Sequence, residues 1–115
     1  MTTVLLIEDD ADLRGALFET LEDAGYNVLA ASGGYQGLDI MQHEAVDMAV
    51  TDIVMAGGEG IEFILKAKAA HPSVPIVAMS AKAHYLKDAA SLGADHTLLK
   101  PFRLHELMAG LGQVA

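Results

Sequence analysis

VLLIEDDADLR, the stretch from Val4 to Arg14, decides the fold. Its aliphatic run, Val4 to Ile7, has the length of a short strand and stops abruptly at three carboxylates, Glu8, Asp9 and Asp10. Asp10 can then cap a helix, because a short side-chain oxygen accepts from the unpaired N–H groups of a first helical turn. Leu13, Ala16, Leu17, Leu21 and Ala24 follow on one stripe and Gly25 ends it, which predicts a helix over about residues 10–24.

The same unit recurs along the rest of the chain. Strands are predicted at about residues 3–7, 27–31, 47–51, 74–79 and 95–99. A second helix is read from Gly33 to His43 and a third from Ile61, Ile64, Leu65 and Lys68. A fourth is read from Leu86, Ala89 and Ala90 with a stop at Gly93, and a fifth from Leu104, Leu107, Met108 and Leu111. The second has the least defined ends, since it begins at Gly33 and Gly34 and contains Gly37, and a helical glycine costs about 1 kcal/mol relative to alanine. Strands alternating with helices predict the α/β class with a parallel sheet.

Composition narrows the function. The 115 residues are expected to form one domain, 1–115, without a second, and contain no cysteine for a disulfide or thiolate metal site. No run approaches the length of a membrane span, so a cytoplasmic protein is expected. Sixteen acidic against seven basic residues give a formal charge of −9, and the dispersed Lys66, Lys68, Lys82, Lys87, Lys100, Arg14 and Arg103 form no basic stripe. Binding of nucleic acid by this chain alone is therefore not expected. His43, His71, His84, His96 and His105 lack metal-ligand spacing and read as surface residues, and the glycines after the second strand spell no nucleotide-binding loop.

A parallel sheet presents the carboxyl ends of its strands at one edge, where ligands collect. After the first strand come Glu8, Asp9 and Asp10, after the third Asp52, after the fourth Ser80, and after the fifth Lys100. Clustered carboxylates resist ionisation unless a hard cation neutralises them, and magnesium (Mg2+) suits an all-oxygen set. Lys100 could hold a phosphoryl oxygen as a point charge. Each residue also has an ordinary alternative: Asp52 as a strand-end turn residue, Ser80 as a helix cap, Lys100 as a solvated lysine.

The pieces VLLIEDDADLR, AVTDIVM (Ala49 to Met55), AMSA (Ala78 to Ala81) and GADHTLLKPF (Gly93 to Phe102) resemble, in order and spacing, the response-regulator receiver domains of the CheY-like superfamily. The resemblance covers essentially the whole chain. It implies a flavodoxin-like three-layer (βα)5 fold with a five-stranded parallel sheet of order 2-1-3-4-5. It implies that Asp52 is the phospho-acceptor, receiving its phosphoryl group from a phosphohistidine on a sensor histidine kinase or histidine phosphotransfer protein. By the same resemblance Asp9 holds magnesium directly, Glu8 does so through water, and the backbone carbonyl of Val54 completes the protein's share; a pair formed by Asp9 and Asp10 stays open. Ser80 becomes the switch hydroxyl, the backbone N–H of Ala81 and the Lys100 ammonium contact the phosphoryl group, and the Lys100–Pro101 bond is expected to be cis. Such a domain is a switch acting on a downstream protein target rather than an enzyme, although it takes part in its own phosphorylation and slow dephosphorylation; a weak homodimer is left open.

Two positions depart from the family pattern. Thr97 stands where an aromatic ring usually responds to the switch hydroxyl. Met55 is followed by Ala56, Gly57, Gly58, Glu59 and Gly60 instead of proline, and this glycine-rich loop is expected to carry part of the output. Val54 occupies the place where an aspartate-nucleophile phosphatase would have a second aspartate. The competing readings are that phosphatase and a pseudo-receiver that binds partners without accepting phosphate.

Overall fold

The computed structural model describes residues 1–55 and 59–115. Strand β1, Thr3–Ile7, lies in parallel between β2, Asn27–Ala31, and β3, Met48–Asp52. β3 pairs with β4, Ile76–Ser80, and β4 with β5, His96–Leu99, so the sheet runs β2-β1-β3-β4-β5. Each strand leads into a helix: α1 Ala11–Asp23, α2 Gly34–His43, α3 Glu59–Ala70, α4 Ala83–Leu92 and α5 Leu104–Val114.

Successive side chains of a strand point to opposite faces, and both faces of this sheet are covered. Val4, Leu6, Val50, Val77 and Met79 pack with Leu17 and Leu21 of α1 and Leu107 and Leu111 of α5. Leu5, Ile7, Ala49, Ile76 and Ala78 pack with Met41 of α2, Phe63, Ile64 and Ala67 of α3, and Leu86 and Ala89 of α4. The result is the three-layer, flavodoxin-like arrangement expected. It also explains the apolar run from Val4 to Ile7 in β1: these residues face one core or the other, with no solvent side.

Local physics moved several boundaries. β4 starts at Ile76, two residues later than expected, because the Val74 N–H turns back to the His71 carbonyl at 3.0 Å and Pro75 has no N–H to give. The α1 stripe is narrower than expected, with Ala16 and Ala24 exposed. Helix α3 begins at Glu59, inside the expected loop, and buries Gly60, Phe63, Ile64 and Ala67, leaving Leu65 exposed. Both stripes satisfy helical period; the choice is made by Gly60, where an added Cβ would strike the Ile53 carbonyl oxygen and lie 2.7 Å from that of Asp52. That contact turns α3 by about one residue relative to the expected face. The expectation for the loop itself falls on Ala56, Gly57 and Gly58, outside the described residues.

The α2 glycines are packing requirements. A Cβ at Gly37 would lie 2.5 Å from Ile7 Cδ1, and one at Gly34 2.8 Å from the Glu59 carbonyl oxygen. Helix propensity is given up there so that α2 can approach β1 and α3 closely. His43, His84 and His105 are exposed and His71 and His96 half-buried. Among the described residues no helix is long and apolar enough to cross a membrane.

Candidate functional site

Sheet order reverses direction at β1, and the crevice opens at the carboxyl ends of β1 and β3. Glu8 follows β1 directly and is 1% exposed; Asp52 ends β3 at 5% and Ser80 ends β4 at 1%. Asp9 lies exposed beside them. The turn bearing Glu8 and Asp9 is tied down on several sides. Asp10 caps α1, its Oδ1 accepting from the N–H groups of Asp12 and Leu13 at 3.0 and 3.2 Å. The Asp10 N–H donates to Glu8 Oε2 at 3.2 Å, and Arg14 Nη1 donates to the Glu8 carbonyl at 2.8 Å.

Lys100 reaches this turn from the far side of the sheet. Its N–H bonds the Ser80 carbonyl at 2.8 Å, holding the backbone after β5 to the end of β4, and the Lys100–Pro101 peptide is cis. Its Nζ lies 2.7 Å from Glu8 Oε1 and 3.4 Å from Asp52 Oδ2. Burial alone would lower the Lys100 pKa, but the hydrogen bond to Glu8 and the charges of Asp52 and Glu8 outweigh it and hold the ammonium above its ordinary value. Burial, helped by the nearby Asp52 charge, pushes the Glu8 carboxyl up despite the opposing pull of Lys100 and the Asp10 N–H.

Glu8, Asp9 and Asp52 each offer an oxygen within 4.8 Å of the others. Three carboxylates crowd one another here, Lys100 reaches two of them, and the donor set is hard oxygen throughout. Such a set fits magnesium or another hard divalent cation and does not suit a soft metal. Beside it is a cavity of about 240 Å³ lined by Asp52, Val54, Ser80, Ala81, Lys82 and Lys100. Ser80 Oγ accepts the Lys82 N–H at 3.1 Å, while the N-cap of α4 is Lys82 itself, so Ser80 stands two residues before the cap position.

The structure thus brings Glu8, Asp9, Asp52, Val54, Ser80, Ala81 and Lys100 to one edge. Thr97 is half-buried in β5, paired with Ala78, two residues before the Ser80 that ends β4. Two contributors were missed by sequence reading. Arg14 read only as one of the dispersed basic residues, and the Lys82 N–H gave no signal, because which backbone group meets a hydroxyl depends on the turn and not on residue type.

Comparison with known proteins agrees with this fold. The family model of the response regulator receiver domain matches residues 4–111, and the chain belongs to that family. The transcriptional regulatory protein CpxR of Escherichia coli (strain K12) is 34% identical over 111 residues, which are 95% of this chain and 47% of that protein. The chain therefore spans about half the length of the curated relatives it matches first. The chemotaxis response regulator CheY4 of Vibrio cholerae superposes with a TM-score of 0.90 at 28% identity, covering 100% of this chain and 99% of that one. The response regulator TrrA of Thermotoga maritima, solved in complex with Mg2+-BeF, gives 0.92 at 27% identity with 100% of both chains covered.

Proposed function

We propose that this chain is a phospho-acceptor switch: Asp52 takes a phosphoryl group from a phosphohistidine on a sensor histidine kinase or histidine phosphotransfer protein, and the modified domain binds a downstream protein differently. One observation carries the reading. Lys100 Nζ stands between two carboxylates of an acidic cluster, 2.7 Å from Glu8 Oε1 and 3.4 Å from Asp52 Oδ2, where it can change partners from a carboxylate to a phosphoryl oxygen.

In the proposed transfer an Asp52 carboxylate oxygen attacks phosphorus, a P–O bond forms, and the P–N bond to the donor imidazole breaks with its electron pair left on nitrogen. Positioning and charge do most of the work, so the chain's part is to hold groups in place. The Ser80 hydroxyl and the Ala81 N–H would bind phosphoryl oxygens from the cavity wall, with Lys100 opposite. Asp9, Asp52 and the Val54 carbonyl would hold magnesium directly. Both Glu8 oxygens are already engaged, by Lys100 and by the Asp10 N–H, which favours contact through water for Glu8. When bound, the ion neutralises carboxylate and phosphoryl charge. The TrrA complex with Mg2+-BeF supports the same ion here.

The role is that of a switch rather than a separate catalyst, and the absence of a membrane-length helix among the described residues suits a cytoplasmic setting. Incubation with magnesium and a small acyl phosphate, followed by intact mass, tests the reading. A gain of one phosphoryl group that Asp52→Asn abolishes is expected. No gain would leave the pseudo-receiver reading, and rapid multiple turnover of the donor would indicate a phosphatase.

A further inference from the structure

Helix α2 begins at Gly33, a cap residue with no side chain to accept from the first-turn N–H groups. The missing acceptor comes from another helix: Glu59 Oε1 accepts the Tyr35 N–H at 3.0 Å. A carboxylate there also complements the positive end of the helix dipole. The same tyrosine is held a second time, its hydroxyl donating to Glu62 Oε2 at 2.7 Å. Glycines make the approach possible. A Cβ at Gly33 would sit 3.1 Å from Glu59 Oε1, and one at Gly34 would sit 3.2 Å from Phe63 Cβ.

Glu59 is the first residue of α3, and its neighbour Gly60 rests on the backbone of Asp52 and Ile53 with no side chain between. Close-packed backbone transmits displacement instead of absorbing it. The backbone of Asp52 therefore lies against Gly60, the residue next to the Glu59 that caps α2.

We infer that Glu59 is a positioning residue that couples Asp52 to the start of α2, so that phosphorylation is read out at Tyr35 through Gly60 and Glu59. This rests on Asp52 being the acceptor. The output is a change in how firmly the first turn of α2 is held, on a face where Tyr35 is 56% exposed to a partner.

Amide hydrogen exchange at Tyr35, followed by NMR on the full chain with and without acyl phosphate and magnesium, tests it, with intact mass recording modification in each sample. In the unmodified protein Glu59→Ala should speed Tyr35 exchange about fivefold, the factor for an ordinary cap, and Glu59→Gln, which keeps an acceptor oxygen, should restore most of the protection. Phosphorylation should change Tyr35 exchange about fivefold in the wild type, the lower range of coupling between sites, and leave it unchanged in Glu59→Ala although that variant gains the same mass. A fully modified wild type with unaltered Tyr35 exchange would overturn the coupling alone. Failure to gain mass would overturn the acceptor assignment, and the coupling with it.

Discussion

Lys100 and Glu8, 92 residues apart in the chain, meet through a 2.7 Å bond between Nζ and Oε1, and Glu8 is almost fully buried where they meet. The pair closes the sheet edge from both sides, joining the end of β1 to the segment after β5. It also sets the electrostatics, because Asp52 lies on the same ammonium.

Removing Lys100 leaves a buried carboxyl with one backbone donor and a carboxylate neighbour. Lys100→Ala should lower stability by about 1.5–3 kcal/mol in urea denaturation at neutral pH, the range for lost hydrogen bonds to charged groups. Adding Glu8→Gln should recover part of that loss, since the carboxylate that lacked its partner is gone. Simple additivity in the double-mutant cycle would mean the two residues do not interact.

Crowded carboxylates make the metal-free site costly. In chelator, Asp52→Asn should melt higher than the wild type, because one repelling charge has been removed. Magnesium should reverse the ranking's cause: at a hundredfold excess over its dissociation constant it stabilises the wild type by about 2.7 kcal/mol and the variant by less. Equal magnesium response in both proteins, measured by thermal unfolding, would place the ion away from Asp52.

Two glycines should respond to alanine with opposite signs. Gly15 lies inside α1 with nothing within 4 Å of an added Cβ, so Gly15→Ala should gain about 1 kcal/mol from helix propensity. At Gly60 the methyl group would meet the Ile53 and Asp52 carbonyls, so Gly60→Ala should lose about 1–3 kcal/mol as overpacking does. Denaturant midpoints read both changes.

Arg14 donates to the Glu8 backbone carbonyl, and its guanidinium thereby fixes the turn that presents Glu8 and Asp9. Arg14→Ala should weaken magnesium binding about tenfold by calorimetry, as loss of a group that orients metal ligands commonly does. Unchanged affinity would show the turn is held without it.

Much of this was legible in the sequence because the information is local. The strand β1, the Asp10 cap and the stop at Gly25 each depend on a few adjacent residues, and the repeated alternation led to the layers. Strand order and the site roles came from resemblance, since no period in the chain says which strands are neighbours. What escaped was set by contacts between distant segments. Gly60 turned α3 to a face that helical period alone could not choose. The Glu59 cap on α2 joins residues 24 apart, and the glycines that allow it look, read singly, like weak helix formers.

The central claim is that Asp52 carries the phosphoryl group. Borohydride reduces an acyl phosphate to the alcohol, so reduction of the phosphorylated chain followed by peptide mass mapping locates the modified carboxyl directly. The account predicts homoserine at position 52 and unmodified Glu8 and Asp9. Intact aspartate at position 52, with the label on another residue or on none, would contradict it.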